Sequence, residues 1–208
     1  MASSTALAPL PPPDRESALD FDRTRIEQEL RQVLGPGDAS PVHRCMEYAT
    51  LGGGQRIRPI LAIRIGRLCK APPDLVLRGA VAAELIHCAS LIVDDLPCMD
   101  NEQTRRGRPA AHIAFGESTA LLAAFSMVAL AGRSILEQPA LEKYCVNQRR
   151  LAAAVLRTLD CSSLVGGQSL DLELTGSTRE SRRAHMNELK TTPLFLLAVE
   201  AGTAYADA

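Results

Sequence analysis

Apolar residues recur along most of the chain at the three- and four-residue spacing of an amphipathic helix. In the first such segment, residues 14–34, they alternate with charged residues, and the Gly-Pro-Gly of residues 35–37 ends the pattern. Few segments alternate apolar and polar residues as strands do, and the glycine and proline turn signals lie far apart. The pattern therefore predicts an all-α fold.

Turn and capping residues divide the rest of the chain into further predicted helices. Asp38 or Ser40 is a candidate N-cap of the second helix, Pro59 opens the third, and Asp74 is a candidate cap of a long apolar fourth. Residues 101–109 are polar, contain glycine and proline, and predict a loop. The helices predicted after the first cover residues 40–51, 60–68, 75–95, 111–136, 140–174 and 188–207.

The composition suits one domain of packed helices. The chain has 208 residues, of which 46% are hydrophobic and 3% aromatic, so leucine, alanine, valine and isoleucine must form the core. A net charge of -1 gives no overall field that would draw the protein to nucleic acid or to a membrane surface. Uninterrupted apolar runs fall far short of the ~20 residues of a membrane span, so we expect no stable membrane insertion.

The cysteines and the N-terminus bear on the cellular compartment. Six cysteines are scattered without a CxxC pair, so we interpret them as reduced and mostly buried thiols rather than as disulfides or a zinc site. Residues 1–14 are rich in proline and predict a disordered tail before a domain of residues 15–208. The tail lacks the basic region and apolar core of a secretory signal, which favours the cytoplasm, with a plastid transit peptide as the alternative.

Acidic and basic side chains concentrate at the end of the long apolar helix. This stretch contains three aspartates and two adjacent arginines, which are Asp94, Asp95, Asp100, Arg105 and Arg106. Carboxylates at the C-terminal end of a helix oppose its dipole, so a cation is expected beside them. Pro97 interrupts the helix, and a bend there would return Asp100 toward Asp94. Because clustered carboxylates favour a hard cation such as Mg²⁺, the stretch predicts a site for metal and a polyanion, against the alternative of a solvated charged loop.

Three other segments carry candidate binding groups. His87 lies seven residues before Asp94, on the same helix face and about 10 Å away along the axis. The Gly-rich residues 52–59 offer backbone N–H groups beside Arg56 and Arg58, which suits an anion cradle, although such turns often merely connect helices. The later candidates are one helical turn apart or adjacent, namely Gln168 with Asp171, and Lys190 with Thr191. Helix packing and solvated helix ends remain open as plainer explanations.

Taken together, these segments resemble the trans-polyprenyl diphosphate synthases, the farnesyl and geranylgeranyl diphosphate synthase family. The matches occur in the family's order and cover most of residues 45–195, and DDxxxxD followed by RRGxP is their most specific part. The matching segments are GGGQRIRP (52–59), IHCASLIVDDLPCMDNEQTRRGRP (86–109), HIAFGE (112–117), VGGQSLDLE (165–173) and LKTTPL (189–194). The resemblance implies a bundle of roughly antiparallel helices around a central cavity, of the isoprenoid synthase type.

The resemblance also implies an activity and its partners. Family members are Mg²⁺-dependent prenyltransferases, with Mn²⁺ as a substitute, and usually homodimers. They condense isopentenyl diphosphate with an allylic diphosphate, which is dimethylallyl, geranyl or farnesyl diphosphate. Asp94 and Asp100, with Asp95 beside them, match metal ligands that hold the allylic diphosphate. Arg105 matches an allylic-diphosphate contact, and Arg106 an isopentenyl-diphosphate contact.

Further roles follow from the same resemblance. The positions that fall in the isopentenyl diphosphate site are Gly54, Gln55, Arg58 and His87. Lys190 and Thr191 match residues near the allylic diphosphate and the developing cation, and Gln168 and Asp171 are counted with the substrate-binding residues. Ala89 and Ser90 stand where bulk forms the floor of the product pocket. Because both are small, we expect geranylgeranyl (C20) rather than farnesyl (C15) diphosphate as the product.

The sequence departs from the family pattern in three places. Gln55 replaces the usual lysine, which should weaken isopentenyl diphosphate binding unless Arg56 or Arg58 compensates. Val93 replaces a residue that is frequently histidine. The second aspartate-rich motif does not occur in the 208 residues, so we expect a C-terminally truncated synthase. The alternatives are a non-catalytic regulatory subunit of a prenyl diphosphate synthase heteromer and a Mg²⁺-dependent hydrolase of isoprenoid diphosphates.

Overall fold

The computed structural model describes residues 14–37, 40–173 and 180–206. The predicted all-α fold is confirmed, with a short 3-10 turn at Glu142–Tyr144 and a two-residue antiparallel hairpin, β1 (Thr104–Arg105) and β2 (Arg108–Pro109). The helices are α1 (Arg15–Leu34), α2 (Pro41–Leu51), α3 (Ile57–Leu68), α4 (Pro73–Asp94), α5 (Ala111–Phe115), α6 (Glu117–Leu136), α7 (Cys145–Thr158), α8 (Leu164–Glu173) and α9 (Glu180–Thr203).

The predicted tail and one predicted cap lie largely outside the described residues, which exclude residues 1–13 and Asp38. Asp14, the last residue assigned to the tail, is the N-cap of α1, where its carboxylate accepts hydrogen bonds from the backbone N–H groups of Glu16 and Ser17. The first described helix therefore has a capped start, and α1 begins at Arg15, one residue after the start of the predicted segment.

Several element boundaries differ from the prediction. α3 begins at Ile57 rather than at Pro59, because proline is tolerated throughout the first helical turn. α4 begins at Pro73, which places Asp74 in the first turn instead of at the cap. The predicted helix 111–136 is two helices, α5 and α6, separated by Gly116 at φ 84°. The apolar periodicity continues through this break, so the pattern alone did not reveal it.

Helix α4 forms the centre of the molecule and packs against α3, α6 and α9, with smaller contacts to α1 and α2. It is apolar around its whole circumference, which is typical of a helix buried on all sides. Val81, Leu85 and Ile86 are fully buried in it, and each such side chain contributes about 1.5–3 kcal/mol of hydrophobic stabilisation. The C-terminal end of α4, with its aspartates, is thereby fixed against the core.

Two described helices, α4 and α6, are long and apolar enough to cross a membrane by length and composition alone. The sequence expectation counted uninterrupted apolar runs, whereas these helices reach the length in windows that contain at most two charged residues. In α4, 72% of the most apolar window is buried inside the protein, against 44% in α6. A buried core helix passes the same test, so these helices are weak evidence for membrane insertion.

All six cysteines are free thiols, as interpreted from their spacing. The expectation that most are buried was wrong, because only Cys45 and Cys88 are buried, whereas Cys98 and Cys161 are exposed. Burial raises the pKa of the Cys45 thiol to about 11, and burial together with the charge of Glu84 raises that of Cys88 to about 12. Neither buried thiol is therefore ionised near neutral pH.

Candidate active site

The end of α4 turns back on itself as Pro97 predicted. The backbone N–H of Asp100 donates to the carbonyl oxygen of Asp94 at 3.0 Å, and Asn101 adopts a left-handed conformation at φ 50°. Burial and the nearby charge of Asp94 raise the pKa of the Asp100 carboxyl. The bend therefore brings the two carboxylates into one electrostatic environment.

Lys190 on α9 is the cation nearest to these carboxylates in the described structure. Its Nζ lies 3.4 Å from Oδ1 of Asp94 and 2.6 Å from Oδ2 of Asp171 on α8. Burial lowers the pKa of Lys190, but the hydrogen bond to Asp171 and the charge of Asp94 outweigh it, so the net shift is upward. Asp94, Asp100 and Asp171 thus face one ammonium group, and the cluster keeps an excess of negative charge.

The close approach of α8 to α9 at this point depends on a glycine. A Cβ on Gly167 would lie 2.8 Å from the backbone nitrogen of Lys190, which leaves no room for a side chain. Helix packing therefore explains Gly167, whereas a Cβ on the preceding Gly166 would overlap the carbonyl oxygen of Cys161. The packing of α8 on α9 also sets the position of Lys190 against Asp171.

The fit of this cluster to a metal ion follows from its donors. Among the described residues, no three acidic, histidine or cysteine side chains are close enough to hold a metal by themselves. Mg²⁺, however, usually keeps several waters and takes one or two carboxylates together with phosphate oxygens. Asp94 and Asp100 supply such carboxylates, and the excess negative charge of the cluster favours a cation. The residues present therefore fit a hard divalent ion shared with a bound phosphate.

A cavity of about 600 Å³ begins at this cluster and extends between α4, α6, α8 and α9. Its volume is within the range of small-molecule sites, and its wall is mainly apolar. Ala89 and Ser90, the predicted floor residues, both line it, and the Ser90 hydroxyl donates to the carbonyl oxygen of His87 at 2.8 Å. The polar groups that line it are on Arg58, His87, Ser90, Asp94, Gln168, Ser169 and Lys190.

His87 and Arg58 share the polar part of this lining. Burial lowers the pKa of His87 to about 3, with further lowering by the charges of Arg58 and Arg106, so its imidazole is neutral at pH 7. The guanidinium of Arg58 lies 4.8 Å from the centroid of the Phe195 ring. Both side chains are therefore placed to meet a ligand in the cavity, His87 as a neutral group and Arg58 as a cation.

Arg56, two residues earlier, is occupied elsewhere. Its side chain is only 1% exposed, and it forms ion pairs with Glu84 on α4 and Glu27 on α1, each at 2.6 Å. A third hydrogen bond, also at 2.6 Å, goes to the carbonyl oxygen of Thr50. Of the two residues that were expected to compensate for Gln55, Arg56 is therefore not placed to do so, whereas Arg58 remains available. Glu84 was missed in the sequence, where its only signal was a single acidic residue in the apolar stretch between Arg78 and Asp94.

The remaining predicted residues divide into two groups. Gln168 lines the cavity, and its side-chain nitrogen lies 3.9 Å from the Met99 sulfur. Gln55 and Thr191 are exposed and stand outside the cavity lining. The structure thus brings Gln168 to the cluster and leaves the other two at its periphery.

Asp95 points to a different place from its neighbour Asp94. It is buried, and the guanidinium of Arg105 binds its carboxylate through Nε at 3.0 and 3.1 Å and through a further contact from Nη2. Arg106 donates to the carbonyl oxygen of Gly53 and packs against Gly54. Asp95 therefore holds the first of the paired arginines, while the second is held by the glycine turn.

Comparison with known proteins agrees with this arrangement. The family model described as polyprenyl synthetase matches residues 40–208. The chain is 41% identical to geranylgeranyl pyrophosphate synthase 4 of Arabidopsis thaliana over 151 residues. The aligned residues make up 73% of this chain and 40% of the Arabidopsis protein. The chain is 33% identical over 181 residues to a probable farnesyl diphosphate synthase of Sinorhizobium fredii, covering 86% of this chain and 54% of that one.

A solved structure matches the fold as well. The geranyltransferase from Legionella pneumophila superposes with a TM-score of 0.85 and 35% sequence identity, over 93% of this chain and 69% of that chain. The chain spans about two fifths of the length of the plant relatives it matches. The resemblance stated from the motifs is thereby confirmed, and so is the isoprenoid synthase type of the helical bundle.

Proposed function

The chain belongs to the polyprenyl synthetase family, and from that premise we propose that it joins isopentenyl diphosphate to an allylic diphosphate to form a short-chain prenyl diphosphate. One observation carries this proposal. A mainly apolar cavity of about 600 Å³ ends at a cluster of carboxylates, Lys190 and Arg58. Such a site suits a molecule with a long hydrocarbon tail and a polyanionic head.

The proposed reaction breaks one bond and forms another. The C–O bond of the allylic diphosphate breaks, the diphosphate leaves with the electron pair, and the double bond of isopentenyl diphosphate attacks the carbocation. A new C–C bond forms, and the adjacent carbon loses a proton to the departing diphosphate. Lys190, which lies beside Asp94, stabilises the negative charge that develops on the leaving group, and Arg58 contacts the diphosphate of the second substrate, isopentenyl diphosphate. The apolar wall of α4 and α6 keeps water from the carbocation.

We propose Mg²⁺ as the cofactor, with Asp94 and Asp100 as its protein ligands. When bound, the metal neutralises the charge of the diphosphate and makes it a better leaving group. Asp95 has a different proposed role, because its carboxylate is engaged by Arg105. It positions that arginine, and through it the diphosphate of the allylic substrate.

We also propose geranylgeranyl rather than farnesyl diphosphate as the product. The support is the small side chain of Ala89, which is 3% exposed and lines the cavity beside Ser90. The relatives alone do not decide the product, because they include synthases named for geranylgeranyl and for farnesyl diphosphate.

The test is an elongation assay with radiolabelled isopentenyl diphosphate, each allylic diphosphate in turn, and Mg²⁺. We expect a C20 product, its loss in EDTA, and its loss in Asp94→Ala. Asp20→Ala is the matched control, since Asp20 is 71% exposed on α1 and pairs only with Arg23 in the described structure. A folded protein that elongates none of the allylic substrates would overturn the proposal and favour the regulatory-subunit alternative.

A further inference from the structure

A second, smaller pocket lies on another face of α4 from the cavity. Its volume is about 30 Å³, room for one or two water molecules, so it can receive phosphate oxygens of an anion that lies across its opening but not a hydrocarbon tail. Three guanidinium groups line it together with one carboxylate, and these belong to Arg105, Arg106, Arg108 and Asp95. We call it the arginine pocket.

The charges in the arginine pocket do not balance. The charge of Arg105 is compensated by Asp95, so the guanidinium groups of Arg106 and Arg108 remain without a carboxylate of their own in the pocket. Arg106 lies 3.8 Å from Glu84, a carboxylate already bound at 2.6 Å by the buried Arg56. For Arg108, no carboxylate partner occurs within residues 14–37, 40–173 and 180–206, and its guanidinium instead covers the Tyr48 ring at 3.8 Å from the centroid. The pocket therefore carries an excess of positive charge.

The glycine turn is shaped to admit two of these arginines. A Cβ on Gly52 would overlap the guanidinium of Arg108, and a Cβ on Gly54 would lie 2.8 Å from Cζ of Arg106. Gly54 also has φ 126°, which other residues rarely adopt. Each glycine thus lets one guanidinium group lie directly against the turn, so that Arg106 and Arg108 flank the same short piece of backbone.

Arg108 is held in place before any ligand arrives. The hydroxyl of Tyr48 donates to the carbonyl oxygen of Pro109 at 2.8 Å, and its ring packs edge-on against Phe115 at 5.2 Å. The fixed ring supports the guanidinium plane through a cation–π contact. A guanidinium ordered in this way loses little further conformational freedom when it binds a phosphate through two parallel hydrogen bonds.

We propose that Arg108 binds the diphosphate group of isopentenyl diphosphate, together with Arg106 and the glycine turn. It supplies the positive charge that the uncharged Gln55 does not. No role for Arg108 follows from the family motifs, and the assignment depends on the packing at Gly52 and Tyr48. The assignment rests on the proposed function only for the isopentenyl part of the ligand. The binding of a diphosphate group is argued from the charges of the pocket itself.

The experiment measures binding of inorganic pyrophosphate by titration calorimetry, with EDTA present so that no divalent ion bridges it to the carboxylates. We expect Arg108→Gln to weaken binding about tenfold, the loss typical of one hydrogen bond between charged groups. Arg108→Met removes the charge but keeps the apolar stem over Tyr48, and it should give the same loss. Arg133→Gln is the matched control and should bind as the wild type does, since Arg133 is 64% exposed on α6 beside Glu137.

Two further variants separate charge from packing. Arg108→Lys keeps a cation and should retain most of the affinity, and adding Gln55→Lys to Arg108→Gln should restore part of it. The assignment is overturned if Arg108→Gln and Arg108→Met bind pyrophosphate as tightly as the wild type. It is also overturned if affinity is lost and is regained neither in Arg108→Lys nor by adding Gln55→Lys to Arg108→Gln. Absence of elongation with Arg108-dependent pyrophosphate binding intact would count against the proposed function alone.

Discussion

Replacing Arg56 by methionine should destabilise the protein and loosen the glycine turn. Arg56 caps the start of α3 in a left-handed conformation at φ 53°, and its buried side chain ties this point to α1 and α4. Nη1 lies 2.6 Å from Glu84, and Nε lies 2.7 Å from Glu27. Methionine keeps the length and the apolar stem but removes every one of these hydrogen bonds.

The expected loss follows from the burial of the two acceptors. Removing one partner of a buried ion pair costs about 3–5 kcal/mol, because the other charge is left uncompensated. The Glu84 side chain is 3% exposed, whereas that of Glu27 is 28% exposed and regains water. Because Arg106 remains 3.8 Å from Glu84, we expect the lower end, about 3 kcal/mol, which is a large part of an ordinary stability of about 5–15 kcal/mol.

Urea unfolding followed by far-ultraviolet circular dichroism measures this loss. Arg133→Met is the control, since it removes an exposed i,i+4 pair worth about 0.3–0.5 kcal/mol. The double variant Arg56→Met with Glu84→Met should recover much of the stability, because apolar residues replace buried ion pairs at little cost. A loss below about 1 kcal/mol in Arg56→Met, or a double variant as unstable as the single one, would refute the reasoning.

Three further predictions concern the cavity. Ala89→Phe should place a ring in the cavity floor and shift the product from C20 toward C15, as read by chromatography of the dephosphorylated products; an unchanged product would exclude Ala89 as the floor. His87 has a pKa of about 3 in the folded state against 6.5 for the free side chain. The neutral imidazole therefore contributes fully to the free energy of unfolding above pH 6.5, and this contribution is lost as the pH falls toward 3. At pH 5 the loss of unfolding free energy due to His87 amounts to about 2 kcal/mol. When the pH is lowered from 7 to 5, the unfolding free energy of His87→Asn should therefore fall by about 2 kcal/mol less than that of the wild type, as measured by urea unfolding at each pH. Lys190→Met removes the ammonium beside Asp94 and Asp171, which competes with a metal ion for these carboxylates. Mn²⁺ binding in the absence of substrate should therefore become about tenfold tighter, as measured by electron paramagnetic resonance of the free ion. Weaker binding would contradict this competition between lysine and metal.

The sequence predicted the class of fold and the bend that follows α4, because both depend on local patterns. Apolar periodicity identified the helices, and Pro97 identified the interruption after Asp94. The roles of Arg56 and Arg58 were not separable in this way, since both stand in the same charged turn. The partner that decides between them is Glu84, which lies 28 residues further along the chain and meets Arg56 only after α4 has packed. A contact of this kind has no local signature.

The same limit applies to the adjacent aspartates at the end of α4. Consecutive residues on a helix point about 100° apart, so Asp94 and Asp95 face different surroundings once the helix is buried. Asp94 faces the cluster at the end of the cavity, where Asp94, Asp100 and Asp171 surround one ammonium group, that of Lys190, and a cation is favoured. Asp95 faces the arginine pocket, where guanidinium groups outnumber carboxylates and an anion is required. A net charge of -1 conceals both regions, because their opposite excesses cancel in the sum. The separation of charge across α4, rather than its total, therefore supports the two neighbouring diphosphate sites proposed above, one with a metal beside Asp94 and the other with arginine alone.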